Sequence, residues 1–278
     1  MSNHNKYLYL YLAISFGACW GIGLAYMLFG DILVPITGPL TLMHPLTIIA
    51  LYSPSFAGLI AYYALGGSKA VKGVFSKLIP RKQDLFWFPV LLVVVILFVA
   101  TMHYGSKLFG IPLPQMTYSI SDMFLIGLWN LIEETGLIGG IFGWIGFLLP
   151  FLQGKFKNNV TSSLLTGLIF GLWVLPGYVI SSYETSTSYF LYVIQLMFFI
   201  WFQSYVFNAT RGTLLFYLFT FWLTATGSRL QFYYFNAQVQ ILQVSFFLIA
   251  AIIMHFIYNK QKEKNNYELQ MSPQFIQA

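Results

Sequence analysis

The stretch Asn130-Leu-Ile-Glu133-Glu134-Thr-Gly136-Leu-Ile138-Gly139 places two adjacent carboxyl groups inside an apolar run. The chain contains eight Asp and Glu residues, and only this pair lies deep in a hydrophobic segment. A charge at the centre of a bilayer costs about 2.5 to 3.5 kcal/mol on insertion scales. Neighbouring residues of a helix point about 100° apart, so one carboxyl group can face a cavity while the other pairs with another helix. The pair therefore predicts either a functional site or a protonated, hydrogen-bonded contact between helices.

The composition is that of an integral membrane protein whose surroundings are a lipid bilayer. Hydrophobic residues make up 58% of the chain and charged residues 8%, and the mean hydropathy is +0.72. The single cysteine, Cys19, excludes a disulfide within one chain. The net charge is +6, but the basic residues lie between apolar runs rather than along one face. This distribution favours positive-inside membrane topology over nucleic-acid binding.

Eight apolar runs are candidates to cross about 30 Å of hydrocarbon as helices. They lie near residues 7–29, 43–66, 86–109, 120–150, 162–182, 188–209, 212–227 and 236–259. If the N-terminus is cytoplasmic, only Lys107 and Arg229 of the 14 basic residues fall outside. We therefore predict an all-α, polytopic protein of about eight helices with both termini in the cytoplasm. One transmembrane domain spans residues 1–259, and we expect the polar tail 260–278 to be disordered.

The connection 67–84 interleaves basic and apolar residues. This spacing fits an amphipathic helix on the anionic inner leaflet, and it fits a solvated loop equally well.

Two later stretches reach the same predicted depth as the glutamates. The fifth predicted helix contains Phe170-Gly-Leu172-Trp173-Val174-Leu-Pro176. The seventh follows the turn Asn208-Ala-Thr210-Arg211-Gly212-Thr213-Leu214-Leu215 and carries Thr220, Phe221 and Thr224.

At these residues the chain resembles the CAAX-protease and bacteriocin-processing family, eight-helix intramembrane endopeptidases also called Abi proteins. The family motifs are E-E-x-x-x-R, then F-x-x-x-H in a context like F-x-L-W-H-x-P, then H-x-x-x-N or H-x-x-x-D after a turn of the form N-x-T-x-G-S-L-L. The resemblance extends over about residues 40 to 228 and includes Tyr52-Ser-Pro54-Ser-Phe-Ala57 in the second helix. It implies that Glu133 and Glu134 are the catalytic positions, bordered by the binding residues Phe170, Trp173, Thr220 and Thr224.

The chain departs from the family where the remaining catalytic groups belong. Ile138, or Ile145 in another register, stands in place of the motif arginine. Val174 and Phe221 stand in place of the two histidines. Because valine can neither donate, accept nor ligate, these are not conservative replacements.

No histidine is an evident substitute. His255-Phe-Ile-Tyr-Asn259 spells H-x-x-x-N, but it lies near the inner end of the eighth predicted helix, where snorkelling to the interface is the plainer interpretation. We therefore expect neither a metal nor another cofactor. Without the arginine, a buried Glu133 or Glu134 should be protonated and should bond to Thr166, Trp173, Thr220 or Thr224.

Three functions follow as hypotheses. The first is a non-catalytic scaffold in a bacterial cell membrane that binds another membrane or cell-envelope protein, with a cell-envelope or bacteriocin-immunity role implied by the resemblance. The second is an active endopeptidase that cleaves membrane-associated peptides, with Glu133 activating water. The third is a proton-coupled transporter, which would require broken helices and inverted repeats.

Overall fold

The computed structural model describes residues 5–41, 43–133, 137–180 and 186–265, without the side chains of residues 133 and 263–265. Across these ranges the regular structure is entirely helical. The α-helices are α1 (Asn5–Thr37), α2 (Pro45–Ser76), α3 (Trp87–Leu108), α4 (Ile120–Glu133), α5 (Ile141–Gly143), α6 (Leu149–Phe156), α7 (Asn159–Ile180), α8 (Tyr189–Ala209), α9 (Leu215–Arg229) and α10 (Ala237–Asn265). A 3₁₀ turn occupies Lys82–Asp84, and a π-helical turn, Trp144–Leu148, joins α5 to α6.

Six of the described helices are long and apolar enough to cross a membrane. These are α1, α2, α3, α7, α8 and α10. Shorter apolar helices cover Ile120–Ile132 and Ile141–Phe156, and α9 has 15 residues. The prediction of an all-α membrane protein is thus confirmed.

The prediction of one continuous helix over 120–150 is wrong. Helix α4 is described as far as Glu133, residues 137–140 are not helical, and the next helical run begins at Ile141. Between them, the N–H groups of Gly140 and Ile141 both donate to the carbonyl of Leu137, at 3.2 and 2.9 Å. Hydropathy could not reveal this break, because it measures transfer into lipid and not the direction of the backbone.

Helix α2 supplies the hydrogen bonds that the broken backbone needs. The Ser55 N–H donates to the carbonyl of Gly139 at 3.0 Å, and the Ser55 hydroxyl donates to the carbonyl of Ile138 at 2.8 Å. The same hydroxyl accepts from the N–H of Phe142 at 3.3 Å. Non-helical backbone is tolerated at membrane depth only where protein satisfies its polar groups. Ser55 therefore makes the break possible.

Small residues let α2 and the run Ile141–Phe156 touch backbone to backbone. A Cβ atom built on Gly143 would lie 2.3 Å from the carbonyl oxygen of Pro54, and one built on Gly58 would lie 2.5 Å from that of Phe142. Helices α7 and α8 pack in a similar way, since a Cβ atom on Gly167 would lie 2.4 Å from the Cα of Met197. Close approach through small residues is the common packing mode of membrane helices.

The connection 67–84 is partly helical, and it packs against other parts of the chain. Helix α2 continues past a kink at Gly66 and Gly67 as far as Ser76, with Ala70 and Val74 buried. It therefore ends well before Asp84, and a helix over the whole connection is not formed. The Lys77 ammonium then donates to the carbonyl of Arg211 at 2.6 Å, in the turn between α8 and α9.

Helix α10 extends into the tail 260–278, which the sequence predicts to be disordered. It continues to Asn265, so residues 260–265 are helical, and residues 266–278 lie outside the described part of the chain.

Candidate functional site around Trp144

Glu133 is the last residue of α4, at the edge of the break. Its side chain and the whole of Glu134 lie outside the described residues. Three side-chain bonds hold the end of α4. Asn130 Nδ2 donates to Thr226 Oγ1 at 3.0 Å, Trp222 Nε1 donates to the carbonyl of Gly127 at 2.7 Å, and the Tyr52 hydroxyl donates to the carbonyl of Ile132 at 3.2 Å. The backbone of Glu133 is therefore fixed where α4 meets α2 and α9.

Trp144, from the π-helical turn, fills the space beside the second motif. It stacks on Phe170 with ring centroids 4.8 Å apart and meets Trp173 edge-on at 5.5 Å. Tyr11 of α1 packs edge-on against the other side of Trp144 at 5.8 Å. All four rings are fully buried. Val174, at the position of the family histidine, is half-buried and packs against the same core.

Phe221, at the other histidine position, is also part of an aromatic cluster. Its ring lies 5.2 Å from that of Phe199 and 5.6 Å from that of Tyr217. Phe221 and Val174 both pack against the main hydrophobic core, which extends over most of the helices.

The positions considered for the motif arginine differ in their surroundings. Ile138 lies in the break and is 39% exposed, whereas Ile145 lies in the π-helical turn and is fully buried.

The polar groups expected to bind a protonated glutamate have other acceptors. The hydroxyls of Thr166, Thr220 and Thr224 donate to carbonyls of their own helices at 2.7 to 2.9 Å. Trp173 Nε1 donates to the carbonyl of Ser15 at 3.0 Å. The indole has one N–H and no acceptor, and this donor is used by Ser15, so Trp173 has no further group to offer a carboxyl group. The threonines retain lone pairs, and a bond from a protonated glutamate to one of them stays a prediction.

Sequence reasoning missed buried polar atoms on α1, the π-helical turn and α8. Tyr11 Oη, Trp144 Nε1 and both amide atoms of Gln203 are buried and have no hydrogen-bond partner among the described residues. Buried polar groups are nearly always paired with protein or water. A glutamine within the apolar α8 was the signal in the sequence. These groups can hold water, but none of them is a base of useful strength.

The three described histidines join structural elements. His44 accepts from the N–H of Leu46 at the start of α2, and His103 Nδ1 lies 2.8 Å from the carbonyl of Phe232. His255 Nδ1 lies 2.6 Å from the Tyr205 hydroxyl, and its Nε2 lies 3.0 Å from Asn259 Nδ2. His255 therefore belongs to the contact between α10 and α8, away from the motif positions. Within the described residues, no three His, Cys, Asp or Glu side chains gather as a metal site would require.

A cavity of about 90 Å³ lies next to part of the candidate site. Phe221 and Thr224 line it, together with residues of α3, α8 and α10, whereas Val174 and Phe170 do not. Among the described residues, the cavity thus borders Phe221 but not Val174, and it does not join the two histidine positions.

Comparison with known proteins gives no assignment, since the chain matches no protein-family model and no curated protein. The resemblance to the CAAX-protease family thus stays a prediction from the motifs.

Proposed function

We propose that this chain is a non-catalytic membrane protein of CAAX-protease-like architecture that binds another membrane or cell-envelope protein. The observation that supports this most directly is the packing of Trp144 against Phe170 and Trp173. Phe170 and Trp173 match the family motif, and Val174 stands in place of its histidine. The fully buried ring of Trp144 packs on both aromatic residues and adds apolar surface beside that position.

The chemistry of the motif positions supports the same proposal. Peptide hydrolysis needs a base to activate water and donors that stabilise the oxyanion in the transition state. Val174 and Phe221 offer neither donors nor acceptors. The Trp173 N–H, a possible donor, is bonded to the carbonyl of Ser15. Glu133 or Glu134 alone would therefore supply a base for water but not the donors that stabilise the oxyanion.

The proposal includes eight membrane crossings with both termini in the cytoplasm. In that arrangement α4 and the run Ile141–Phe156 form one broken crossing, and α9 forms a short one. Contacts between loops support it, because Lys77 binds the carbonyl of Arg211 and both residues belong to the predicted inner side. At the other end, Gln231 Oε1 accepts from the N–H of Thr117 at 2.9 Å, and both belong to the predicted outer side. A reporter enzyme fused to the C-terminus tests the topology, and activity outside the cell would contradict it.

A bacterial cell membrane is the proposed location, and it follows from the family resemblance. Fractionation of the native host, with detection of the full chain in the cytoplasmic membrane, tests this part.

A cleavage assay tests the absence of catalysis. The full chain is reconstituted in lipid and incubated with a library of membrane-associated peptides, next to the variants Glu133→Gln and Glu134→Gln. Asp122→Asn is the matched control, because Asp122 is an exposed carboxylate near the start of the same helix. We expect the same background with all four proteins. Turnover that is lost only in the glutamate variants would contradict the proposal and establish the endopeptidase alternative.

Partner binding is tested by cross-linking in cells. Photo-reactive residues are placed at the exposed positions Phe124 and Trp129 of α4, which are 65% and 49% exposed. A specific protein adduct at these positions supports the scaffold function, and adducts to lipid alone contradict it for this face.

The broken fourth crossing is the one observation that favours the transporter alternative. Substrate and ion sites of many transporters lie at discontinuous helices near the middle of the membrane. Proton flux into liposomes, measured for the wild type and Glu133→Gln, decides this question. Flux that requires the glutamate would replace the scaffold proposal by the transporter.

A further inference from the structure

The cavity of about 90 Å³ combines aromatic walls with two amide groups. It lies between α3, α8, α9 and α10, and its walls include the rings of Phe98, Phe199 and Phe247. Two glutamines also line it, Gln195 from α8 and Gln243 from α10. Among its described lining residues there is no Asp, Glu, Lys, Arg or His. Apolar walls with a few polar groups are the usual form of a small-molecule site.

Helices α8 and α10, which carry the two glutamines, run side by side in the same direction. At their starts, the N–H of Ser188 donates to Gln240 Oε1 at 2.7 Å. Further along both helices, the rings of Phe199 and Phe247 meet with centroids 5.0 Å apart. The Phe199–Phe247 contact therefore marks one level at which the facing sides of α8 and α10 touch.

Gln195 and Gln243 occupy matching positions on these facing sides. Gln195 lies four positions before Phe199, and Gln243 lies four positions before Phe247. Residues i and i+4 of a helix lie on the same face, one above the other. The two amides therefore face each other across the cavity, one helical turn before the contact between the two rings.

Neither amide oxygen has a partner. The Oε1 atoms of Gln195 and Gln243 are buried and accept no hydrogen bond from a described residue, and Gln243 is 3% exposed. The two side chains thus do not bond to each other through these oxygens, although they face each other. Buried polar groups are nearly always paired with protein or water. An occupant between the two glutamines therefore has to offer hydrogen-bond donors to both.

We propose that this cavity is a binding site for a small, planar, uncharged molecule with N–H donors, of the urea or primary carboxamide class. Its N–H groups donate to the oxygens of Gln195 and Gln243, and its flat faces lie against the aromatic walls. The nitrogen and oxygen of a glutamine amide are assigned from their partners, so the carbonyl of the ligand can accept from a glutamine that is turned round. The site is separate from the glutamate pair and does not depend on the proposed scaffold function.

Size and charge limit the ligand. A cavity of 150 Å³ can hold benzene, so the cavity here has room for a molecule of about four non-hydrogen atoms. A charged ligand would lose its hydration and meet no opposite charge among the described lining residues, which is unfavourable.

Water is the competing occupant. A buried water molecule typically makes about three hydrogen bonds. Water could bond to the two amides, but the aromatic remainder of the cavity would give it few other partners. A planar amide bonds to both glutamines and covers the rings with its faces, so it suits the whole lining better.

A set of molecules with nearly the same shape tests each part of the proposal. Acetamide and urea are the probes. Acetone has the shape of acetamide without N–H donors, acetate has the same shape with a negative charge, and guanidinium has the shape of urea with a positive charge. Binding of acetamide is followed by saturation-transfer-difference NMR of its methyl group, with the full chain in detergent micelles and with empty micelles as background. The other four compounds are added as competitors.

We expect a saturable acetamide signal that urea displaces. Acetone, acetate and guanidinium should each require at least tenfold higher concentrations than urea. Absence of a saturable signal would overturn the proposal and leave water as the occupant. Displacement by acetone as effective as that by urea would contradict the role of the N–H groups. Equally effective displacement by acetate or guanidinium would contradict an uncharged ligand.

Variants of the lining locate the site. Gln195→Met and Gln243→Met should each weaken acetamide binding at least tenfold. Ala225→Leu enlarges a side chain that lines the cavity, so it should abolish binding while both amides remain. Gln238→Met is the matched control and should bind as the wild type does, because Gln238 is exposed on α10. Wild-type binding by any of the three lining variants would overturn the proposal.

A stability measurement separates loss of binding from loss of folding. Methionine is similar in length to glutamine and has no amide, so Gln243→Met removes the unpartnered group without opening space. The unliganded variant should melt at or above the wild-type temperature. A clearly lower melting temperature would mean that this amide is already satisfied without a ligand, and would contradict the proposal.

Discussion

Trp144 lies nearly parallel to Phe170, with an angle of 13° between ring planes whose centroids are 4.8 Å apart. Trp144 comes from the π-helical turn after the break, and Phe170 comes from the middle of α7. The helical run after the break thus places its tryptophan against the rings of Phe170 and Trp173.

Replacement of Trp144 by alanine should strongly destabilise the protein. The side chain is fully buried and contacts rings from α1 and α7, so its removal leaves a large cavity. Such changes typically cost about 3 to 5 kcal/mol. Trp144→Phe should cost less, because it keeps the stacking on Phe170. The free energy of unfolding, measured by titration with a denaturing detergent in mixed micelles, gives the comparison.

Trp129→Ala is the control for loss of a tryptophan as such. Trp129 lies on α4 and is 49% exposed. Its replacement should change the free energy of unfolding much less than Trp144→Ala. Similar losses for the two variants would show that the ring of Trp144 is not packed as described.

Gly143→Ala should separate α2 from the helical run after the break. The added Cβ would lie 2.3 Å from the carbonyl oxygen of Pro54, and backbone atoms cannot yield by a change of rotamer. Overpacking of this kind costs about 1 to 3 kcal/mol. Gly17→Ala is the matched change, since nothing lies within 4 Å of its built Cβ in α1. It should be neutral or stabilising by up to about 1 kcal/mol. Thermal unfolding in one detergent compares the two, and equal effects would contradict the close contact.

The sequence predicted the long helices well and the candidate site only in part. Apolar length alone identifies α3, α7, α8 and α10, because water-to-lipid transfer dominates there. It cannot locate the break after Glu133, since the run 120–150 is apolar on both sides of it. The break depends on Ser55 of α2, a partner more than 80 residues away in the chain. The stacking of Trp144 on Phe170 follows from that break, so no local sequence pattern could predict it.

The common depth of the motif positions stays a prediction. Val174 and Phe221 both pack against the main hydrophobic core. Among the threonines nearby, Thr224 lines the cavity of about 90 Å³, and the hydroxyls of Thr220 and Thr224 donate to carbonyls of their own helix. In an apolar setting this back-bonding is the simplest way to satisfy a hydroxyl group.

The turn after α8 offers a test of backbone conformation. The N–H of Gly212 donates to the carbonyl of Phe207 at 2.7 Å, and that of Arg211 donates to the carbonyl of Asn208 at 3.2 Å. This pair of bonds is a Schellman motif, in which the residue at the Arg211 position is usually glycine. Arg211 has φ of 53°, in the left-handed region.

Arg211→Gly should therefore stabilise the protein by roughly 0.5 to 1 kcal/mol. Relief of the left-handed conformation is partly offset by the greater freedom of glycine in the unfolded chain. Gly212→Ala should act in the opposite direction, because Gly212 has φ of 87°. Calorimetric melting of both variants checks the signs. A less stable Arg211→Gly variant would mean that the arginine side chain contributes more than its backbone conformation costs.

Lys77 should make the stability depend on pH in the alkaline range. Burial lowers the pKa of its ammonium group below the ordinary 10.5, and the charges of Arg81 and Arg211 lower it further. Between the lowered pKa of the folded state and 10.5, the unfolded chain therefore binds more protons at this position than the folded chain. Stability rises with pH wherever the unfolded state binds more protons. The contribution of Lys77 to the free energy of unfolding should thus increase across this window and level off above it.

Lys77→Met removes this contribution while keeping most of the apolar stem. The difference in melting temperature between wild type and Lys77→Met, followed from pH 7 towards 10.5, should shift in favour of the wild type as the pH rises. Neutralisation relieves the buried charge, and the neutral amine can still donate to the carbonyl of Arg211. Lys72→Met, which removes an exposed lysine of α2, should melt with the wild-type pH profile. A constant difference between wild type and Lys77→Met over the whole range would show that this ammonium is as well solvated in the folded protein as in the unfolded chain.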